Sequence, residues 1–225
     1  VAKQNKIWIL LDCSQAALHK KINLKKLEAD FITVSAHKML GPNGVGALIA
    51  NKEALDELSP FLLGGETVKD SNINGNFVLE KIPERFEAGL QNYPGIIGWG
   101  TAIDYINNIT VNSIHSYLVK LNRAATEGLT GIDKVRILGP RSAEERGAVI
   151  SFVVEGKSAH EVALFLSNNY NIMVRSGMHC VHSWFNRENT PAIFKDGTVR
   201  VSFSFYNTLE EIEEFIKAVR EISEL

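Results

Sequence analysis

Three short apolar runs near the start of the chain constrain the fold more than any other feature. They cover residues 7–11, 31–34 and 45–50, and the first two end at the polar residues Asp12 and Ser35. Continuous apolar runs of this length are typical of strands that are buried on both faces of a parallel sheet. Short helical stretches separate the runs, so the sequence predicts an α/β fold for this region.

The second half has a different pattern, in which helices and strands do not alternate regularly. Apolar periodicity predicts strands at 135–138, 148–154, 172–174 and 199–205 and helices at 95–107, 112–129, 158–168 and 208–223. The last two helices begin with capping boxes, at Ser158 and Thr208. Residues 63–83 lack periodicity and are expected to form a long loop. We therefore expect an α/β domain over residues 1–110 and a smaller α+β domain over residues 111–225.

Composition and charge exclude several classes of function. The 225 residues carry 24 Lys and Arg against 26 Asp and Glu, so no excess of positive charge favours nucleic acid. No apolar run approaches the ~20 residues that cross a bilayer. The two cysteines, Cys13 and Cys180, are too few for a disulfide scaffold, and we expect no secretory signal. These features predict a cytoplasmic protein without nucleic-acid or membrane partners.

Candidate site residues follow the first two apolar runs. Asp12 ends the first run, at the edge where parallel sheets bind ligands. A carboxylate there can pair with a protonated ring nitrogen, and Gln15 can donate a hydrogen bond beside it; the alternative is that Asp12 caps a turn or a helix. Ser35, His37 and Lys38 follow the second run. A desolvated lysine near other cations loses its proton more readily, which makes Lys38 a Schiff-base candidate; the alternative is a solvated loop lysine.

A third group of chemically capable residues lies in the second half. Cys180 is close in sequence to Arg175 and His179, and cationic neighbours favour the thiolate. The alternatives are a buried structural cysteine or a metal site, for which the His and Cys spacing is unfavourable. Arg200 lies in an alternating apolar and polar stretch, so it either presents its guanidinium to a carboxylate or is a surface arginine. Cys13, beside a core strand, is expected to be inert.

These residues occur in an order that resembles the cysteine desulfurase and selenocysteine lyase family, in the class V aminotransferase group of pyridoxal 5′-phosphate (PLP) enzymes. Ser-Ala-His-Lys followed by Gly-Pro, within residues 35–42, is specific for this group. Arg-x-Gly-x-x-Cys at 175–180, before Arg-x-Ser-x-x-x-Tyr-Asn at 200–207, is similar to the desulfurases of SUF-type iron–sulfur assembly. The resemblance implies the C-terminal part of a fold type I, aspartate-aminotransferase-like large domain, followed by a small α+β domain that carries the cysteine loop.

The resemblance also implies how the first-half residues act on the cofactor. Lys38 would form the Schiff base with PLP and move protons, with His37 beside it in the catalytic group. Asp12 would pair with the ring nitrogen and keep the ring an electron sink. Gln15 would hydrogen-bond the ring oxygen, and Ser35 and His37 would hold the phosphate.

On the substrate side, the resemblance implies that Arg200 binds the α-carboxylate of L-cysteine, with Arg175 nearby. Cys180 would take the sulfur as a persulfide and leave L-alanine, and Arg175 or a protonated His179 would favour its thiolate. A sulfur-acceptor protein would then receive the sulfur for iron–sulfur clusters or another sulfur-trafficking pathway. The family is dimeric, so a homodimer is implied for the full-length protein.

Two other hypotheses remain open. A selenocysteine lyase or another class V lyase would use the same residues on a different substrate. A truncated, catalytically incomplete fragment is the non-enzyme alternative, because family members carry a longer N-terminal half with part of the PLP site. Many relatives also have a threonine after Glu-Ala-Gly that reaches the partner subunit's phosphate, whereas this chain has Leu90, which has no hydroxyl.

Overall fold

The computed structural model describes residues 1–225, which form two compact units, Val1–Asn112 and Ser113–Leu225. Both units combine helices with a β-sheet. None of the helices has the length and apolar character that a membrane span requires.

A three-stranded sheet organises the first unit. Its strands are β1 (Leu10–Asp12), β2 (Phe31–Ser35) and β3 (Gly46–Ala50), and β2 lies in the middle. β1 runs parallel to β2, and β3 runs antiparallel to it. Because β1 and β2 are parallel, both end at the same edge of the sheet, where Asp12 pairs with Thr33.

Only the central strand of this sheet is buried as the apolar runs predict. Phe31, Ile32 and Val34 are buried, whereas Trp8 is 53% exposed and Leu10 is 56% exposed. The expected strand at 7–11 is also wrong in its bounds, since β1 begins at Leu10. The physical reason is position: β1 and β3 each have a single neighbour in the sheet, so continuous hydrophobicity does not by itself produce burial on two faces.

Asparagine caps begin all three helices of the first unit. These helices are α1 (Leu24–Leu27), α2 (Lys52–Glu57) and α3 (Tyr93–Ile109). The side chains of Asn23, Asn51 and Asn92 each accept a hydrogen bond from a backbone amide three residues later. Such caps satisfy backbone donors that a helix leaves free at its start. They fix where each helix begins relative to the sheet.

The expected long loop at 63–83 contains a β-hairpin instead. Its strands are β4 (Val68–Ser71) and β5 (Phe77–Leu79), which pair antiparallel. Asn72 closes the turn, because its side chain accepts hydrogen bonds from the amides of Asn74 and Asn76. The Asn-Gly dipeptide in this turn is a recognised hairpin signal, and it outweighs the missing periodicity of the short exposed strands.

The second unit is built on a four-stranded antiparallel sheet. Its strands are β6 (Val135–Leu138), β7 (Val149–Val154), β8 (Arg175–Gly177) and β9 (Thr198–Ser202), in the order β6-β7-β9-β8. The helices that belong to it are α4 (Val111–Thr130), α5 (Ala143–Arg146), α6 (Ala159–Tyr170), α7 (His182–Phe185) and α8 (Leu209–Glu224). The core includes Phe152 of β7 against Phe215 of α8, with ring centroids 5.9 Å apart. Both predicted capping boxes, at Ser158 and Thr208, are present.

The predicted strand at 172–174 is wrong, because strand pairing starts only at Arg175. Asn171 adopts the left-handed conformation that ends α6, and the amide of Ile172 donates to the carbonyl of Leu166. Residues just after a helix often satisfy its last carbonyls in this way. The apolar side chains at 172–174 therefore belong to the helix end and the connection that follows, and β8 carries Arg175 instead.

Candidate active site

The first group of site residues lies at the shared edge of β1 and β2. Asp12 is the last residue of β1, and Ser35 is the last residue of β2. A single turn of 3₁₀ helix, Ala36–Met39, follows at once and carries His37 and Lys38. The predicted residues of the first half therefore lie at the carboxyl ends of two parallel strands, the edge at which α/β sheets bind ligands.

The loop that carries Lys38 is held at both ends by backbone hydrogen bonds. The amide of Ala36 donates to the carbonyl of Val45 over 3.0 Å, and the amide of Gly41 donates to the carbonyl of Ala36 over 2.8 Å. Gly41 passes close to α3, since a Cβ on it would lie 2.8 Å from the Trp99 ring. These constraints fix the backbone around Lys38, whose side chain is half-buried.

Hydrogen bonds stabilise the ionised form of Asp12. Its Oδ1 accepts the backbone amide of Ser14 at 2.9 Å and the hydroxyl of Thr33 at 3.5 Å. Hydrogen bonds from Ser14 lower the pKa of Asp12, and the charge of Lys38 lowers it further. A carboxylate in this state is ready to pair with a cation at neutral pH.

Hydroxyl groups line the same edge of the sheet. Ser35 donates a hydrogen bond to the buried Ser14 over 3.3 Å. The side chains of Gln15 and His37 are exposed. The edge thus combines an anion, a lysine and several further hydrogen-bonding groups.

The second group lies on β8 and β9 of the second unit. Arg175 and Arg200 are direct partners in the register of these antiparallel strands. Side chains at opposite positions project from the same face, so the two guanidinium groups are neighbours. Neither arginine forms a salt bridge, and Nε of Arg200 is buried without a hydrogen-bond partner. Burial, and then the charge of Arg175, lowers the pKa of Arg200.

Cys180 lies next to this arginine pair on a tight turn. Its Sγ accepts a hydrogen bond from Nη2 of Arg175 at 2.9 Å, and the side chain is exposed. The turn runs from Met178 to Val181, whose amide donates to the carbonyl of Met178 over 2.9 Å. Both central residues, His179 and Cys180, have positive φ, at 51° and 65°. This is the requirement of a type I′ turn, which normally selects Asn and Gly.

His179 does not serve as the expected protonated neighbour of Cys180. Its ring is half-buried, and Nε2 lies 2.8 Å from the hydroxyl of Thr198. Burial lowers the pKa of His179, and the charges of Arg200 and Arg175 lower it further. The imidazole is therefore neutral at neutral pH, which leaves Arg175 as the cation in contact with the sulfur.

Residues that the sequence did not single out complete both groups. Ser14 and Thr33 bind Asp12, and the fully buried Thr198 binds His179. Gly197, just before Thr198, has a φ of 93°, and a Cβ on it would lie 2.6 Å from the backbone of Gly177. The sequence could have indicated Gly197, because a glycine beside a strand often marks a close approach of two backbones.

The two cysteines differ as expected. Cys13 is buried, burial raises the pKa of its thiol, and it forms no disulfide with the exposed Cys180. No three His, Cys, Asp or Glu side chains of residues 1–225 converge in a group that could hold a metal ion.

Comparison with known proteins identifies the family of the chain. Residues 1–215 match the model of the family described as aminotransferase class-V. A probable cysteine desulfurase of Xylella fastidiosa (strain Temecula1 / ATCC 700964) is 39% identical over 224 residues, which cover 100% of this chain and 52% of that protein.

Solved structures give the same result. The apo structure of a cysteine desulfurase from Thermococcus onnurineus NA1 superimposes with a TM-score of 0.87 at 38% identity, covering 99% of this chain and 54% of that one. The cysteine desulfurase CsdA of Escherichia coli also gives a TM-score of 0.87, at 28% identity, with 99% and 53% covered.

The chain thus spans about half the length of the relatives that it matches. Its mixed α/β architecture is that of these desulfurase structures. Since the family model covers residues 1–215, the chain belongs to the aminotransferase class-V family.

Proposed function

We propose that the intact protein is a PLP-dependent cysteine desulfurase that converts L-cysteine to L-alanine and transfers the sulfur to Cys180. The contact between Cys180 and Arg175, beside an unpaired Arg200, carries this proposal. The relatives named as cysteine desulfurases support it. In this proposal Asp12 and Lys38 act on the cofactor, whereas Arg200 and Cys180 act on the substrate.

The residues of the first unit fit PLP. PLP presents an aldehyde, a ring nitrogen that can be protonated and a phosphate. Lys38 supplies an amine for the aldehyde, ionised Asp12 an anion for the nitrogen, and Ser35 a hydroxyl for the phosphate. Both hydrogen bonds that reach Asp12 from Ser14 and Thr33 use Oδ1, so neither occupies Oδ2. When bound, PLP supplies an electron sink that weakens bonds at the α and β carbons of an amino acid.

Lys38, Gln15 and His37 have further roles in this proposal. Nζ of Lys38 takes the proton from the α carbon of the substrate and returns a proton to carbon. Gln15 donates a hydrogen bond to the ring oxygen of the cofactor, and the exposed ring of His37 joins Ser35 at the phosphate. Asp12 holds its negative charge throughout, because the hydrogen bonds from Ser14 keep its pKa low.

Arg200 binds the α-carboxylate of the amino acid. Its guanidinium is half-buried, has no carboxylate of the chain as a partner and keeps Nε unpaired. An arginine fork matches a carboxylate with two parallel hydrogen bonds, and such bonds are stronger than bonds between neutral groups. A cation that is partly removed from water and has no partner is costly, so the arrangement favours an anionic substrate.

Cys180 receives the sulfur. Nη2 of Arg175 donates to Sγ over 2.9 Å and so holds the sulfur in place, and the thiolate is the nucleophilic form of any thiol. An S–S bond forms at Cys180 as the C–S bond of L-cysteine breaks, and a proton replaces sulfur on carbon. The overall reaction converts one enzyme thiol and one L-cysteine into one enzyme persulfide and one L-alanine. Because Cys180 is exposed, a sulfur-acceptor protein that serves iron–sulfur cluster assembly or another pathway can then take the sulfur.

The test uses the intact protein with added PLP. Wild type is expected to show the absorbance band of lysine-bound PLP and to release alanine from L-cysteine. Lys38→Ala should lose the band, whereas Cys180→Ala should keep the band and lose sulfur transfer. Cys13→Ser is the matched control and should keep both properties, because Cys13 is buried away from the proposed chemistry. Sulfur transfer by Cys180→Ala at the wild-type rate contradicts the proposal.

Selenocysteine serves as a second substrate in the same experiment. Selenium leaves carbon more readily than sulfur, so a lyase specific for selenocysteine depends less on Cys180. Turnover of selenocysteine by wild type and by Cys180→Ala, with no turnover of L-cysteine by either, would replace the desulfurase assignment with a lyase. A homodimer is expected for the intact protein, and its mass in solution checks this.

A further inference from the structure

We infer that His179 is a positioning residue for Cys180: anchored on Thr198, it holds the turn in which the sulfur contacts Arg175. The inference deepens the proposed function and rests on it, since Cys180 is the sulfur acceptor of that proposal. His179 precedes Cys180 along the chain and acts on the sulfur only through the backbone of the turn.

The turn needs an anchor because its own residues do not favour it. His179 and Cys180 both have positive φ, a backbone conformation that residues other than glycine and asparagine rarely adopt. Such conformations persist only where surrounding contacts determine them, and they are concentrated at active sites. The single backbone hydrogen bond across the turn, from Val181 to Met178, does not select this conformation over a turn with negative φ.

Contacts of the imidazole supply the missing constraint. Nε2 of His179 lies 2.8 Å from Oγ1 of Thr198, and the ring packs against buried Phe185 with centroids 6.4 Å apart. Thr198 is fully buried and pairs with Gly177, the residue that ends β8. One ring therefore ties the turn to the start of β9, and the next residue along the chain is Cys180.

The position of Cys180 determines whether Arg175 can contact its sulfur. Nη2 of Arg175 reaches Sγ only because the turn carries Cys180 back beside the strand that holds Arg175. A neutral imidazole suits this task, since a charged ring would be repelled by Arg175 and Arg200. Removal of the anchor should leave the thiol exposed and separate it from its cation.

The experiment compares Thr198→Val with Thr198→Ser in the intact protein. Valine removes the hydroxyl and keeps the shape, whereas serine keeps the hydroxyl. Iodoacetamide alkylation of the peptide 176–187, which contains Cys180, is followed by mass spectrometry at about pH 7 and about pH 10, with the Cys13 peptide as reference. Since the guanidinium contact favours reaction at the sulfur, Thr198→Val should slow alkylation of Cys180 at about pH 7 by about threefold or more.

The pH profile separates positioning from a general loss of structure. At about pH 10 any thiol is ionised, and a thiolate without a guanidinium contact is at least as nucleophilic, so Thr198→Val should react there no more slowly than wild type. Thr198→Ser should match wild type at both pH values. His179→Ala should repeat the valine result, and the double variant should be no slower than either single variant because both remove one contact.

Two results overturn the inference. One is that Thr198→Val and His179→Ala alkylate at the wild-type rate at about pH 7. The other is that the rate changes equally at both pH values, which would show altered access to the sulfur instead of loss of the arginine contact. Both results are distinct from failure of the proposed function, which is measured by sulfur transfer from L-cysteine in the wild-type protein and needs no alkylation.

Discussion

Arg175 and Arg200 lie directly opposite each other on neighbouring antiparallel strands, and neither forms a salt bridge with a carboxylate of the chain. Two neighbouring guanidinium groups repel each other, so this arrangement lowers the stability of the folded protein. The hydrogen bond from Arg175 to Cys180 engages one of them. The other, Arg200, remains available for an anion from outside the chain.

Replacement of Arg200 by lysine should weaken the use of L-cysteine. A lysine keeps the charge but loses the two-pronged geometry, so part of the charged hydrogen bonding is lost. Bonds of this kind contribute about 1.5–3 kcal/mol, which corresponds to a fall of about 10- to 150-fold in kcat/KM. Steady-state kinetics with L-cysteine measure the change. Arg141→Lys, at an exposed arginine of the same unit, is the control and should behave like wild type.

Replacement of Asp12 by asparagine should weaken the proposed cofactor function without unfolding the first unit. Asparagine keeps an oxygen that accepts the amide of Ser14, so the local turn survives. The negative charge is lost, and with it about 1.5–3 kcal/mol of charged hydrogen bonding, or about a 10- to 150-fold loss of turnover. Kinetics at saturating PLP and urea unfolding are the two measurements. A wild-type turnover in Asp12→Asn would remove Asp12 from the proposed site.

Acidification should destabilise the second unit through His179. Its pKa is below the usual value in the folded protein, because of burial and then of the charges of Arg200 and Arg175, and returns to about 6.5 on unfolding. As pH falls below about 6.5, the unfolded chain therefore binds a proton that the native state does not bind, and stability falls. Urea unfolding from about pH 7.5 to about pH 5 measures this. The slope should be smaller in His179→Gln, which has no titrating group, and an unchanged slope would contradict the prediction.

Replacement of Gly197 by alanine should destabilise the second unit more than the same change at Gly156. Both glycines have positive φ, at 93° and 82°. A Cβ at Gly197 would lie 2.6 Å from the backbone of Gly177, whereas nothing lies within 4 Å of a Cβ at Gly156. Gly156→Ala thus reports the conformational cost alone, about 1–2 kcal/mol. Gly197→Ala adds the clash and should exceed it clearly in urea unfolding; equal losses would show that β8 and β9 can separate freely.

The sequence predicted which polar residues lie at the edge of the first sheet better than it predicted their surroundings. Lys38 and Asp12 could be singled out because polar residues directly follow apolar runs, and two parallel strands then bring their ends to one edge. Burial of the first run could not be predicted, since it depends on how many strands flank it. The hairpin at 63–83 was missed because its strands are short and exposed, so that only the turn carries a signal.

Contacts between residues that are distant in sequence account for the other differences between prediction and structure. The state of His179 depends on burial and on Arg200, which is distant in sequence, so a sequence pattern of neighbouring cations suggested a charge that the fold removes. Thr198 belongs to no recognisable motif. Its contact with His179 could not be predicted, because it depends on the strand pairing that places Thr198 opposite Gly177.

The register of β8 against β9 has a consequence for which insertions and deletions the protein can tolerate. Alternate residues of a strand point to opposite faces, so one residue added within β8 would turn Arg175 away from Arg200 and from Cys180. Length changes in the exposed part of the connection between the two strands, near residues 186–189, would leave that pairing intact. Natural variants of this protein should therefore differ in length in that connection while β8 and β9 keep a constant length.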